Sequence, residues 1–136
     1  MRVVDRDRIS GIIIAAAIEI HRLMGPGLLE SAYIACLVHE LIRRGLRVER
    51  QVAVPVVFKG AKLDCGFRLD LLVEGDVIVE VKSVEKLAPI HSAQVLTYLR
   101  LTGARRALLM NFGGLTLKAG LKSYLGRSTQ VPVSSD

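Results

Sequence analysis

Changes of hydrophobic period constrain this chain more than any other feature of its sequence. From about Asp7 to Met24 apolar residues recur at helical spacing, with Ile9, Ile13, Ala16, Ile20 and Leu23 in one stripe. Gly25-Pro26-Gly27 breaks that pattern, and a second helix is predicted from about Leu28 to Arg44, stopping at Gly45. At Val48 the period drops to two. Val48, Val52, Val54, Val56 and Phe58 share one face of a strand, with Pro55 marking an edge or a bulge. After a turn at Lys59-Gly60-Ala61, the residues Leu63, Cys65, Phe67, Leu69, Leu71 and Val73 alternate down a second strand. Glu74-Gly75-Asp76 turns the chain again, and Val77-Ile78-Val79 opens a third strand, apolar on both faces and so central. Helical spacing returns from about Pro89 to Leu101. Ala107 to Met110 is a short buried strand, Leu115 to Lys118 a short final strand, and Leu121 to Leu125 a last helical turn. The order α-α-β-β-β-α-β implies an α/β fold with a mixed central sheet flanked by helices, its third and fourth strands parallel across a helical crossover.

The chain has 136 residues, the size of one domain, and we expect a single domain over 1–126 with a flexible tail over 127–136. A formal net charge of +6 favours a polyanionic partner such as nucleic acid, because Lys and Arg displace counterions from phosphates. The two cysteines, Cys36 and Cys65, show neither metal-ligand nor disulfide spacing, and both are expected as reduced, partly buried thiols. The apolar run Ile12 to Ile18 follows Arg2, Arg6 and Arg8, but Asp5 and Asp7 spoil a secretion signal and the run is too short to span a bilayer. The expectation is a cytoplasmic protein with no membrane association. With no Trp and 4% aromatic residues, a base-stacking platform for single strands is not expected.

The informative residues lie on the second and third strands. Leu69, Leu71 and Val73 point one way, so Asp70 points the other; Glu80 and Lys82, two apart, share a face. If Glu74-Gly75-Asp76 is a three-residue loop, Val73 pairs with Val77, and counting back sets Asp70 opposite Glu80 and Arg68 opposite Lys82. A two-residue turn would set Asp70 opposite Val79 and separate the acids. Adjacent carboxylates repel each other unless one is protonated or a cation is shared. Mg²⁺, with Mn²⁺ as a substitute, suits such a pair, because it takes a few carboxylate oxygens and keeps waters and phosphate in the rest of its shell. The ordinary alternative is an exposed acid–lysine pair on a solvated sheet face.

These residues carry a resemblance. Arg68-Leu69-Asp70 followed by Glu80-Val81-Lys82 resembles the PD-(D/E)xK (restriction-endonuclease-like) nuclease signature, with Leu69 in place of the proline. Gln94 to Tyr98 resembles the QxxxY motif of the RecB-like branch. Gly27, Glu30 and Tyr33 match the spacing of the GxxExxY family, which is grouped with these nucleases, and His21, Gly25, Pro26, Gln51 and Asn111-Phe112-Gly113 also look like that family. The resemblance implies metal ligation by Asp70 and Glu80, with the Val81 carbonyl and Glu30 as further ligands. It implies Lys82 assisting the nucleophile, and Gln94, Tyr98 and Tyr33 lining the site and touching substrate. The expected activity is Mg²⁺-dependent hydrolysis of nucleic acid, DNA ahead of RNA. The alternative is a non-catalytic nucleic-acid-binding or regulatory module that keeps the fold and works with a protein partner. A homodimer could supply a recognition surface that so small a chain lacks.

Each of these residues also has a plainer explanation. Glu30 is placed as the N3 residue of a capping arrangement. Tyr33, one turn on, would reach that carboxylate or another site group, and Gln94 is a half-buried amide on a packed helix. His91 is a weak ligand candidate on the Gln94 face, and His21 would contact the Gly25-Pro26-Gly27 loop. Arg43, Arg44, Arg47 and Arg50, and separately Arg100, Arg105 and Arg106, either track a phosphate backbone or stabilise helix ends.

Overall fold

The computed structural model describes residues 3–126, with side chains from Arg8 onward. The expected tail over 127–136 lies outside the described residues. Helices α1 (Val3–Met24) and α2 (Glu30–Arg43) lead into strands β1 (Val48–Ala53), β2 (Val56–Phe58), β3 (Ala61–Leu63), β4 (Arg68–Val73) and β5 (Val77–Lys82). Helix α3 (Pro89–Thr102) then precedes β6 (Arg106–Asn111), a 3₁₀ turn (Lys118–Gly120) and β7 (Leu121–Leu125). Among the described residues five strands form one sheet in the order β1-β4-β5-β6-β7, and β2 and β3 pair only with each other. The β5–β6 pair is parallel and joined through α3, as the crossover pattern predicts.

β5 is central, and its first five residues are buried. Two layers of side chains cover the sheet. On one face Leu71, Val73, Val79, Val81, Leu108 and Met110 pack against Ile13, Ala17, Tyr33 and Leu37 of α1 and α2. On the other, Ile78, Ala107 and Leu109 pack against Val95, Tyr98 and Leu99 of α3, joined by Val54 and Leu69. Leu69 thus lies in the layer opposite Leu71 and Val73, and not beside them as simple alternation predicts. Each fully buried aliphatic side chain contributes roughly 1.5–3 kcal/mol. The sheet that positions the strand ends is therefore anchored from both sides.

Three segments differ from the sequence reading. The strand expected from Val48 to Phe58 is interrupted between Ala53 and Val56, where Pro55 has no N–H to continue a ladder. The strand expected from Leu63 to Val73 is interrupted by a turn in which Asp64 Oδ1 accepts the Gly66 N–H at 2.9 Å. As a result β2–β3 stands apart as a small hairpin, and Cys65 is exposed rather than partly buried. At the C-terminal end the expectation is inverted: Leu115–Lys118 holds no strand, and Leu121–Leu125 is strand β7, not a helical turn. The physical reason is that the outer backbone edge of β6 needs hydrogen-bond partners, and β7 supplies them from Leu121↔Met110 to Leu125↔Arg106.

No helix among the described residues is long and apolar enough to cross a membrane.

Candidate functional site

The β4–β5 turn decides the site. Glu74 and Gly75 both have positive φ, at 54° and 64°, and Asp76 N–H bonds to Val73 C=O at 3.0 Å. The resulting pairs are Val73↔Val77, Leu72↔Ile78 and Leu71↔Val79, the register that a three-residue loop predicts. One step further along, the ladder gives way to the side chains of Asp70 and Glu80. The Asp70 N–H donates to Glu80 Oε2 at 2.8 Å, and the Val81 N–H donates to Asp70 Oδ2 at 2.8 Å. Each acid thus caps the backbone of the opposite strand where the strands part. One oxygen of each carboxylate is left without a hydrogen-bond partner among the described residues.

The electrostatics follow from this placement. Glu80 is only 3% exposed. Burial, and next the Asp70 charge, push its carboxyl up to about 8; the Asp70 N–H and Lys82 act in the opposite direction. Asp70 is also raised, chiefly by burial, with the Val81 N–H and Lys82 opposing. Glu30 lies close enough to raise both acids by its charge. Burial, then the Glu80 and Asp70 charges, raise the Tyr98 hydroxyl. Glu30, Asp70, Glu80, Lys82 and Tyr98 therefore share one electrostatic neighbourhood. No ion pair within 4.0 Å joins Lys82 to either acid among the described residues.

Two acids at one site, each capping a backbone N–H with one oxygen and keeping the other, form a donor set suited to a hard divalent cation, which would relieve their repulsion. Among the described residues no three His, Cys, Asp or Glu side chains converge tightly enough to hold an ion together. Asp70 and Glu80 are the two acids brought together directly, with Glu30 near enough for its charge to act on both. Two clefts of about 410 Å³ lie elsewhere, one lined by Ile20, Leu23, Met24, Cys36 and His39, the other by Lys86, Leu87, Asn111 and Leu115.

Other expected residues take different places. Glu30 is the first residue of α2, not its N3 residue. Tyr33 is fully buried, so it cannot touch substrate in this conformation. Its hydroxyl donates to Gly25 C=O and accepts from the Leu28 N–H, and its ring stacks on Phe112 with centroids 4.4 Å apart. Tyr33 holds the loop that presents Glu30. His21 does contact the Gly25-Pro26-Gly27 loop, through its C=O, which accepts the Gly25 N–H at 2.7 Å, while its ring Nε2 meets Gly114 C=O at 2.9 Å. His91 Nδ1 accepts the Ala88 N–H at 3.0 Å and so caps the start of α3. Gln94 is half-buried on α3, one turn before Tyr98. Arg68 turns away from Lys82 to Asp64, 3.3 Å away. In the first arginine cluster, Arg44 pairs with Glu40 and Glu19, Arg43 with Glu40 and Arg47 with Glu74; in the second, Arg105 pairs with Asp76.

Sequence reasoning missed the clamp beyond Lys82. Asn111 sits beside Lys82 in the parallel register, and its side chain accepts the Val84 and Gly113 N–H groups and donates to Val84 C=O. Ser83 Oγ donates to Leu28 C=O at 2.7 Å, tying the end of β5 to the Tyr33-held loop. A Cβ on Gly113 would lie 2.2 Å from Val84 C=O, so glycine is required there. Gln51, which the family resemblance includes, has an unusual backbone. It is exposed, lies between the paired residues Arg50↔Leu71 and Val52↔Leu69, and carries a left-handed backbone with φ 51°. A polar flanking motif at Asn111-Phe112-Gly113 was the only sequence signal for the clamp.

Residues 7–124 match the family model of the PD-(D/E)XK nuclease superfamily. No curated protein and no solved structure matches the chain significantly. The match spans most of the 136 residues, and the five-stranded mixed sheet flanked by helices agrees with that fold. The chain belongs to the PD-(D/E)XK nuclease superfamily.

Proposed function

We propose that this domain is a nuclease that hydrolyses phosphodiester bonds with a divalent metal, Mg²⁺ in the first instance and Mn²⁺ as its substitute. The observation that carries the reading is the Asp70–Glu80 pair, held at one point of the sheet with no cationic partner in contact among the described residues. Nucleases of this superfamily generally use divalent metal ions. Asp70 and Glu80 would hold the ion, with the Val81 carbonyl beside them and Glu30 as an outer carboxylate. The ion would supply Lewis-acid polarisation of the scissile phosphate.

The chain's own groups have separable tasks. Lys82 follows Glu80 on the same strand face and places a positive charge where negative charge develops on phosphorus. Asn111 and Ser83 fix the end of β5 and so fix Lys82 against the acids. Gln94 and Tyr98, one turn apart on α3, line the same side as the acids and orient the substrate backbone. Tyr33 acts indirectly, by holding Glu30 in place. The motif set Gly27, Glu30, Tyr33 with Gln94 and Tyr98 supports a finer placement with the GxxExxY and RecB-like groups.

The test is cleavage of labelled DNA and RNA by purified protein in Mg²⁺ or Mn²⁺. Asp70→Ala or Glu80→Ala is expected to abolish it. Cleavage that survives both changes would overturn the reading. Metal-independent, salt-sensitive binding without cleavage would return the binding-module reading instead.

A further inference from the structure

We propose that the β2–β3 hairpin, with the adjoining Phe67, is a binding surface for a single-stranded segment of nucleic acid entering or leaving the Asp70–Glu80 site. The proposal deepens the nuclease reading and rests on it for the identity of the polymer.

The hairpin is an anomaly of the fold. A two-stranded hairpin is marginal in water unless it packs on something, yet β2 and β3 join no other strand among the described residues. Its side chains are mostly outside: Val57 is 59% exposed, Phe58 60% and Leu63 43%. Opposed residues share a face, so Phe58 and Ala61 lie with Val56 and Leu63, and Val57 lies with Lys62 on the other side. Phe67, at the base, is 43% exposed, and its carbonyl accepts the Val54 N–H at 3.0 Å. Apolar groups gathered at one projection mark an interaction site.

Charge selects the occupant. Lys59 Nζ sits 5.6 Å from the Phe58 ring centroid. Neither Lys59 nor Lys62 has an acidic partner within 4.0 Å among the described residues, and the one acid of the segment, Asp64, is paired with Arg68. Lys59 also holds a left-handed backbone, φ 50°, at the hairpin tip, where Asn or Gly would carry less strain. Glu74 has a similar φ of 54°, but its carboxylate accepts the Arg47 N–H at 2.6 Å, which offsets the strain. Among the described residues the Lys59 side chain makes no such hydrogen bond; its contact is the Phe58 ring. Exposed aromatic faces beside unpaired cations match unpaired nucleotides, which offer both phosphates and open base faces; a duplex hides the faces in its stack.

Position completes the argument. The hairpin leaves the sheet after β1 and rejoins it at Arg68, two residues before Asp70. The Phe67 ring lies 6.3 Å from the Tyr98 ring, and Tyr98 feels the charges of Glu80 and Asp70. A strand resting on Phe58 and Phe67 is therefore led toward the acids. The chain has only three Phe and three Tyr, and composition alone argues against stacking; the fold places two of the three Phe on this one projection.

The experiment measures fluorescence anisotropy of a fluorescein-labelled 12-nucleotide single strand, and of a duplex of equal length, with full-length wild-type protein in EDTA. Phe58→Ala is expected to weaken single-strand binding by about tenfold, the loss of one stacked base, with little change for duplex. Lys59→Ala with Lys62→Ala is expected to lower the single-strand salt slope by about 1.4. Leu115→Ala, at an exposed position away from the hairpin, is expected to leave both affinities unchanged. Circular dichroism confirms that each variant folds. Equal losses on duplex and single strand, no loss in folded Phe58→Ala, or equal competition by a poly-glutamate peptide would each overturn the proposal. If wild type binds through Phe58 but cuts nothing with Mg²⁺, the hairpin surface stands and the nuclease reading falls. If Phe58→Ala binds and cuts single strands like wild type, the reverse holds.

Discussion

The two ends of the β4–β5 hairpin treat acidic side chains in opposite ways. At the turn, Glu74 accepts the Arg47 N–H and faces the Arg47 guanidinium at 3.8 Å, and Asp76 is bridged by Arg105. At the far end, Asp70 and Glu80 meet each other, backbone N–H groups and the more distant Lys82. The first arrangement is what stability favours, since every charge has a neighbour of opposite sign. The second is one that folding tolerates only because two backbone groups and a deep sheet anchor it. Two acids held together in a buried setting, one of them keeping its proton up to about pH 8, are the arrangement on which the proposed metal site rests.

The largest expected effect is on activity and is confined to one end. Asp70→Ala should lower metal-dependent cleavage by at least about 10²–10³-fold, whereas Asp76→Ala should leave it nearly unchanged. Initial rates on one labelled substrate compare them. Similar losses from both would erase the contrast.

The next effect concerns pH. The native state holds the Glu80 proton up to about pH 8, whereas an unfolded glutamate releases it near 4.5. Between those values the folded chain binds more protons than the unfolded one, so stability must fall as pH rises through that window and level off above it. Metal-free wild type should therefore melt several degrees lower at pH 8.5 than at pH 5 through this group. Glu80→Gln should remove that part of the drop, and added Mg²⁺ should raise the wild-type melting temperature at pH 8.5 but not that of Glu80→Gln. Calorimetric scans at the two pH values decide it. A flat profile would mean that the acids do not strain the fold.

A smaller effect belongs to the clamp. Tyr33→Phe removes the hydroxyl that serves both Gly25 and Leu28 and should destabilise the protein by about 1–2 kcal/mol, with a fall in cleavage rate through Glu30. Denaturant melts and rates at saturating substrate separate the two. The smallest effect is expected at the turn, where Asp76→Ala should reduce stability by about 1 kcal/mol or less, because both partners are about a third exposed. A loss several times larger would mean that the Arg105 pair, and not the turn geometry, sets the register.

The strands and the register around Asp70 and Glu80 were legible because both signals are local. Alternation has a period of two, and a loop of Glu74-Gly75-Asp76 admits few ways of joining Val73 to Val77. β7 was read as a helical turn because Leu121 to Leu125 has weak preferences of its own and takes its form from the open edge of β6. The break that frees β2–β3 was missed because alternation continues through Pro55 and Cys65 as if the strands were whole.

By itself the sequence determined the alternation that sets Glu80 and Lys82 on one strand face, since side-chain parity follows from covalent geometry. On β4 parity alone did not hold, because Leu69 packs in the layer opposite Leu71 and Val73. Tertiary structure alone decided what surrounds the acids. Ser83 finds Leu28 and Asn111 finds Val84 across 55 and 27 positions of chain, and no local pattern encodes such distant hydrogen bonds. Nor does composition state the burial that drives Glu80 to about 8, because desolvation arises only when the sheet and α3 close around it.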